Sequence, residues 1–224
     1  AASELARLVS ENKTSATAQM LIDGFTKQLT RAKKTPEQRY LLIRDVTEAT
    51  GNKTQQYRLL RELSNEPTYG ALKYDGQFLT DGQLKFPAAS TIKDIAIKNP
   101  GIYGAQATQM MQDAIGSQAG AEADYQKEEL RKHIAALPKT EGFKPLFNEK
   151  DLAGWKGLVG DPIKRSKMDA ATLAAEQVKA DEIMRKGWSV EQNMLVFGGH
   201  GDNLCTDKKY GDFEMIVDWK IEKD

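Results

Sequence analysis

From Ser3 to Leu137 the apolar residues recur at helical spacing, in short runs separated by polar turns. Ser3 reads as an N-cap for a helix carrying Leu5, Leu8 and Val9. A second helix is expected from about Ser15 to Ala32, with Met20, Leu21 and Phe25 apolar. Pro36 and Glu37 suit the first turn of a third, which carries Leu42, Ile43 and Val46 and ends at Gly51 as a C′ residue. Gln55 to Leu63 continues with Leu59, Leu60 and Leu63. Ala88, Ala89, Ile92, Ile95 and Ala96 mark a further helix, stopped by Asn99-Pro100-Gly101. Met110, Met111, Ala114 and Ile115 mark the next, and Tyr125 to Leu137 the last before Pro138.

Each of these helices has one modest apolar stripe, too narrow to be stable alone. Stacked pairs would bury the stripes jointly, as in a degenerate helical repeat. The stretch Tyr74 to Lys98 looks like a HEAT-type helical pair, with Gly82-Gln83-Leu84-Lys85 either inside it or in a loop. An irregular helical bundle is the alternative. No catalytic constellation stands out in this part. His133, beside Arg131 and Lys132, reads as a solvated helix residue, and Met110-Met111 as core. The tyrosines 40, 57, 69, 74, 103 and 125 are candidates for a binding groove.

Past Thr140 the pattern changes. Phe143 to Asn148 reads as a short strand and Met168 to Arg185 as a helix capped by Asp169 and ended by Gly187, with Leu173, Ala174, Ala180 and Met184 near one face. The period then becomes two. Trp188-Ser189-Val190, Met194 to Phe197 and Asn203 to Thr206 are strand candidates, with turns at Gly198-Gly199 and at Lys209 to Asp212. Phe213 to Ile221 alternates most cleanly: Phe213, Met215, Val217, Trp219 and Ile221 on one face, Glu214, Asp218 and Lys220 on the other. That pattern predicts a half-buried antiparallel strand.

Composition sharpens this division. All three tryptophans, Trp155, Trp188 and Trp219, lie in the second part. Lysine plus arginine and aspartate plus glutamate are 32 each, and neither part is strongly basic, so nucleic acid is a poor partner. No apolar run reaches membrane-spanning length. Cys205, alone, excludes an internal disulfide and a thiolate zinc cluster, and reads as a small buried apolar residue. The start Ala1-Ala2-Ser3 fits removal of a leader peptide and fits trimming equally.

The run Gly142-Phe143-Lys144-Pro145-Leu146-Phe147-Asn148-Glu149-Lys150-Asp151-Leu152-Ala153-Gly154-Trp155 resembles the opening of the 3-keto-disaccharide hydrolase family. That family is also described as a 3-keto-glucoside lyase and 2-hydroxy-glucal hydratase domain. The resemblance continues through Trp188-Ser189-Val190, through Gly201 to Thr206, and from Tyr210-Gly211-Asp212-Phe213-Glu214 to Trp219. It departs at His200, where a lysine or asparagine is commoner. It implies a multi-domain chain: an all-α HEAT-like repeat over 1–141, then a truncated β jelly roll, a concanavalin A-like sandwich, over 142–224. It also implies a periplasmic or secreted protein with a small carbohydrate substrate, and a helical part available to a protein partner.

The implied chemistry is elimination. A 3-keto group acidifies C2–H of a glycoside, a base removes that proton, the C1 substituent leaves, and water adds back. Such a site needs a base, a group that stabilises the enediolate, and an acid for the leaving oxygen. A divalent metal could serve as the second. On a jelly roll the polar face of the last strand could line the concave sugar site, which makes Asp218 (base or metal ligand) and Lys220 the catalytic candidates. A solvated strand face is the alternative. Trp188, His200, Asp202 and Asn203 are the substrate-binding candidates. Trp188 and Trp155 could stack on a sugar ring or belong to the core, and the 200–203 loop could be an ordinary turn. A non-catalytic carbohydrate-binding module or a protein-docking scaffold remains an alternative to the enzyme.

Overall fold

A computed structural model describes residues 2–12, 16–201 and 203–221. The chain separates into two compact units, Ala1–Lys144 and Pro145–Asp224.

The first unit is helical. In order it contains α1 (Ala2–Glu11), α2 (Ala16–Leu29), α3 (Pro36–Ala49), α4 (Lys53–Glu62), a 3-10 turn (Leu63–Asn65), α5 (Tyr69–Gly76), α6 (Lys85–Lys98), α7 (Ala105–Ser117) and α8 (Ala123–Ala136). The helices pair as α1–α2, α3–α4, α5–α6 and α7–α8. Each helix from α1 to α6 also packs on the helix two places further along. This near-neighbour pattern is what narrow apolar stripes require, because each stripe is covered by one or two adjacent helices. The result is one continuous core that includes Ile22, Phe25, Ile43, Leu59, Leu60, Leu72, Ile92, Ile95 and Met111, all fully buried. The stripe read on α6, from Ala88 to Ala96, lies wholly in this interior.

Local chemistry sets the helix ends. The Thr35 hydroxyl accepts from the backbone N–H of Gln38, Gln38 Oε1 accepts from the Thr35 N–H in return, and Pro36 opens the helix. Asn52 caps α4 and Thr68 caps α5. Gly51 does follow the C-cap of α3, Thr50, but it does not adopt the left-handed backbone expected of a C′ glycine. Ser3 is not a cap, because the backbone is already helical at Ala2. Met20 is 70% exposed, since Ala18, Ile22, Phe25 and Leu29 form the buried stripe of α2 instead. Leu84 is fully buried, and Asp81 accepts from the N–H groups of Gln83 and Leu84, so Gly82–Lys85 is an ordered entry to α6.

Several polar side chains inside this unit have partners. Thr47 donates to Ile43 O (2.7 Å), Gln118 to Ala89 O (2.9 Å) and Asn99 to Pro67 O (2.8 Å). Glu66, nearly inaccessible, pairs with Arg39 at 2.7 Å. Other enclosed oxygens lack a partner, Gln56 Oε1, Glu66 Oε2 and Tyr74 Oη among them, and at Asp75, which is fully buried, both carboxylate oxygens do. Tyr40, Tyr69 and Tyr74 are buried in the core and do not line a groove; Tyr57 and Tyr125 are exposed. His133 is half-buried with Nε2 enclosed and unpartnered, and burial lowers its pKa; it is not the solvated residue expected.

Phe143 belongs to this first unit. Its N–H donates to Tyr103 O (2.8 Å), and its ring stacks on Tyr69 with centroids 4.2 Å apart. Gly104 (φ 121°) and Gly142 (φ 59°) form an isolated bridge so close that a Cβ on either would strike backbone. The strand expected over Phe143–Asn148 is therefore replaced by an irregular return of the chain, anchored by one aromatic stack.

The second unit contains β1 (Trp155–Gly157), α9 (Pro162–Ser166), α10 (Ala170–Gly187), β2 (Trp188–Glu191), β3 (Met194–Phe197) and β4 (Leu204–Thr206). The strands form two separate two-stranded antiparallel ribbons, β1–β4 and β2–β3. The structure shows these ribbons and one long helix; it does not show a jelly-roll sandwich. The strand expected over Phe213–Ile221 is absent: those residues carry no ladder, and Phe213, Val217, Trp219 and Ile221 are each more than 60% exposed. Alternation fixes which side chains share a face, but a strand exists only when a partner takes its backbone hydrogen bonds. Among the described residues no ladder includes 213–221.

Candidate functional site

The residues singled out in the second unit are placed by α10. Asp169 caps this helix by accepting from the Thr172 N–H (2.7 Å), as its sequence position suggested. Leu173, Gln177, Ala180, Asp181 and Met184 form the covered face; Ala174 is exposed. Gln177 donates to Gly157 O (2.8 Å) and to Asp181 Oδ1 (2.7 Å), and Asp181 Oδ1 accepts from the Gly157 N–H (2.9 Å). Two polar side chains on α10 thus take up both backbone groups of Gly157. A side chain there would collide with the Ala180 carbonyl, so only glycine lets strand and helix approach this closely.

At its far end α10 runs directly into β2 at Trp188. Gly187 O accepts from Gly198 N–H (2.8 Å), and a Cβ on Gly187 would collide with the His200 carbonyl. The loop after β3 is therefore folded back against the start of β2. Leu158 N–H donates to Asn203 O (3.2 Å), which ties the other end of the same loop to the chain after β1. Trp188 pairs with Phe197 across the hairpin, with ring centroids 4.9 Å apart. Trp188 is half-buried and Phe197 is 49% exposed, so together they present an aromatic edge beside the loop carrying His200.

This arrangement joins some of the sequence candidates and separates others. Trp188 and the His200 loop are neighbours through Gly187. The side chains of His200 and Asn203 are exposed. Asp202 lies outside the described residues. Asp218 and Lys220 are exposed on the 213–221 segment, so no strand places them on a concave face. Trp155 is half-buried and pairs with Thr206, with Nε1 enclosed and unpartnered. Cys205 is half-buried opposite Lys156, not fully enclosed. Phe197 was missed as a site residue. It and Trp188 are equally spaced from Gln192-Asn193, which both take positive φ (50° and 63°) in the two-residue hairpin turn. Without the Asn-Gly or Asp-Gly of the strongest turn signal, that symmetry was not read.

The electrostatics of this unit are local. The Asn148 amide beside Asp151, with the Ala153 N–H, holds that carboxyl below its usual range; the Thr172 N–H does the same for Asp169. Both are turn or cap bonds. Among the described residues no three His, Cys, Asp or Glu side chains gather as a metal-ligand set.

Residues 142–224 match the family of the 3-keto-alpha-glucoside-1,2-lyase-like domain. The match covers little more than a third of the chain, all of it in or next to the second unit. It points to a carbohydrate-related role for that part. No curated protein and no solved structure matches the chain.

Proposed function

We propose that the second unit belongs to a periplasmic or secreted 3-keto-glycoside-cleaving protein, and that the helical unit is a HEAT-like repeat that docks a protein partner. The single observation that carries the first part is the family match over 142–224, on which Trp188 and the His200 loop come together. The run of helices each packed on its next-but-one neighbour supports the second. In this reading the unit is part of a jelly roll, with Trp188 and Phe197 against the C–H face of the sugar and His200, Asp202 and Asn203 at its hydroxyls.

Asp218 is the proposed base. It takes the C2 proton made acidic by the 3-keto group, electrons move into the C1–C2 bond, and the aglycone leaves from C1 with a proton that Lys220 donates. Water then adds back, hydroxyl to C1 and proton to C2, to give the free 3-keto sugar. The test is release of aglycone and 3-keto-glucose from an aryl 3-keto-glucoside by the full chain, with divalent metal supplied. The expected result is turnover that Asp218→Asn abolishes while sugar binding persists. Absence of turnover by the unaltered chain overturns the enzymatic reading; binding without turnover identifies a carbohydrate-binding module.

A further inference from the structure

We propose that residues 213–221 are a self-complementary strand through which two copies of this chain pair, antiparallel and two-fold symmetric about Val217. The segment alternates in sequence, and none of its residues takes the positive φ that would interrupt a ladder. Its apolar face is bare: Phe213 is 67% exposed, Met215 57%, Val217 61%, Trp219 82% and Ile221 76%. An alternating strand with an open edge is a template for another strand.

Charge and register select the second copy as that strand. Centred on Val217, an antiparallel pairing sets Phe213 opposite Ile221, Met215 opposite Trp219 and Val217 opposite itself, so the apolar faces coincide. On the other face Glu214 meets Lys220, and the symmetry makes this ion pair twice. A one-residue slip turns most of these apolar side chains against charged ones, leaving an apolar partner only for the one that meets Ile216. A two-residue slip one way puts Glu214 opposite Asp218, and the other way puts Asp218 opposite itself. Parallel in-register stacking aligns Glu214, Asp218 and Lys220 each with its own copy. The register about Val217 is the one that aligns all five residues of the apolar face and opposes Glu214 to Lys220; Ile216 then lies opposite Asp218. The pairing does not rest on the carbohydrate reading, and it needs neither the Trp188 edge nor the His200 loop.

The test is the mass of the full chain by sedimentation equilibrium from low-micromolar to sub-millimolar concentration. A monomer–dimer equilibrium is expected. Lys220→Glu should weaken it at least about tenfold, because two attractive cross-strand pairs become repulsive. Adding Glu214→Lys to that variant should restore it. In a Cys205→Ser background, Val217→Cys should form an intermolecular disulfide under mild oxidant and Met215→Cys should not, since only position 217 faces itself. Unchanged circular dichroism would confirm that the variants fold. A chain monomeric at every concentration overturns the proposal. So does a dimer indifferent to the charge reversal, cross-linking at 215 and 217 alike, or open-ended growth past the dimer.

Discussion

Replacing Asp75 with asparagine should make the helical unit more stable at neutral pH and leave it nearly unchanged in acid. Asp75 is fully inaccessible and neither oxygen has a partner, so burial pushes its pKa well above the ordinary carboxylate value. The sign follows from proton counting. Above the unfolded carboxyl's pKa of about 3.9 the unfolded chain releases this proton while the native state keeps it. Stability is therefore full below that pH, falls as pH rises, and levels off once the native group has also ionised. Between the two pKa values the slope reaches about 1.4 kcal/mol per pH unit. The asparagine variant has nearly the same shape and cannot ionise, so the difference between the two proteins should carry this slope. Glu66 and Asp45 are also raised by burial, but they are common to both proteins and cancel in the difference. The assay is urea unfolding over a pH series, followed by far-ultraviolet circular dichroism. Tryptophan fluorescence is an internal control, because all three tryptophans lie in the second unit and should not respond. A difference that stays constant from acid to neutral pH, or a wild type that gains on the variant as pH rises, would refute the reasoning.

Two further outcomes concern the second unit. Gly187→Ala should destabilise it by about 1–3 kcal/mol, because the new Cβ meets the His200 backbone carbonyl, which cannot swing aside as a side chain would; a wild-type tryptophan unfolding midpoint would contradict this. Asp169→Ala should lower the same midpoint by removing the α10 cap, and Asp169→Asn should largely retain it. Because the native Asp169 pKa is depressed by the Thr172 N–H, the effect of Asp169→Ala should be present above the unfolded carboxyl's pKa of about 3.9 and fade as pH falls through the native value. A pH-independent loss would assign the effect to something other than the charged cap.

Some elements were legible in the residues because a local signal carried them. The stripe Ala88–Ala96 became α6, Pro36 opened α3, and Asp169 capped α10. The 3-keto-glucoside resemblance, read from spaced motifs past Gly142, coincides with the family match. Most of helix α5 was not read, since the helical pair expected over Tyr74–Lys98 takes in only its last three residues: Tyr69, Gly70, Ala71, Leu72, Tyr74 and Asp75 are buried on all sides and leave no periodicity to find. The β2–β3 hairpin had its strands in view, but its turn uses Gln192-Asn193 at positive φ without the usual glycine.

What the sequence alone determined is local: helix positions, several caps, the change of period after Thr140, and the two faces of Phe213–Ile221. What only tertiary structure decided is which groups meet. It placed an ionisable Asp75 in an apolar interior, carried Phe143 back onto Tyr69, and set Gly187 against His200. It also left Asp218 and Lys220 without a ladder to hold them. The physical reason is that periodicity and capping act over a few residues, whereas burial and strand pairing depend on partners distant in the chain.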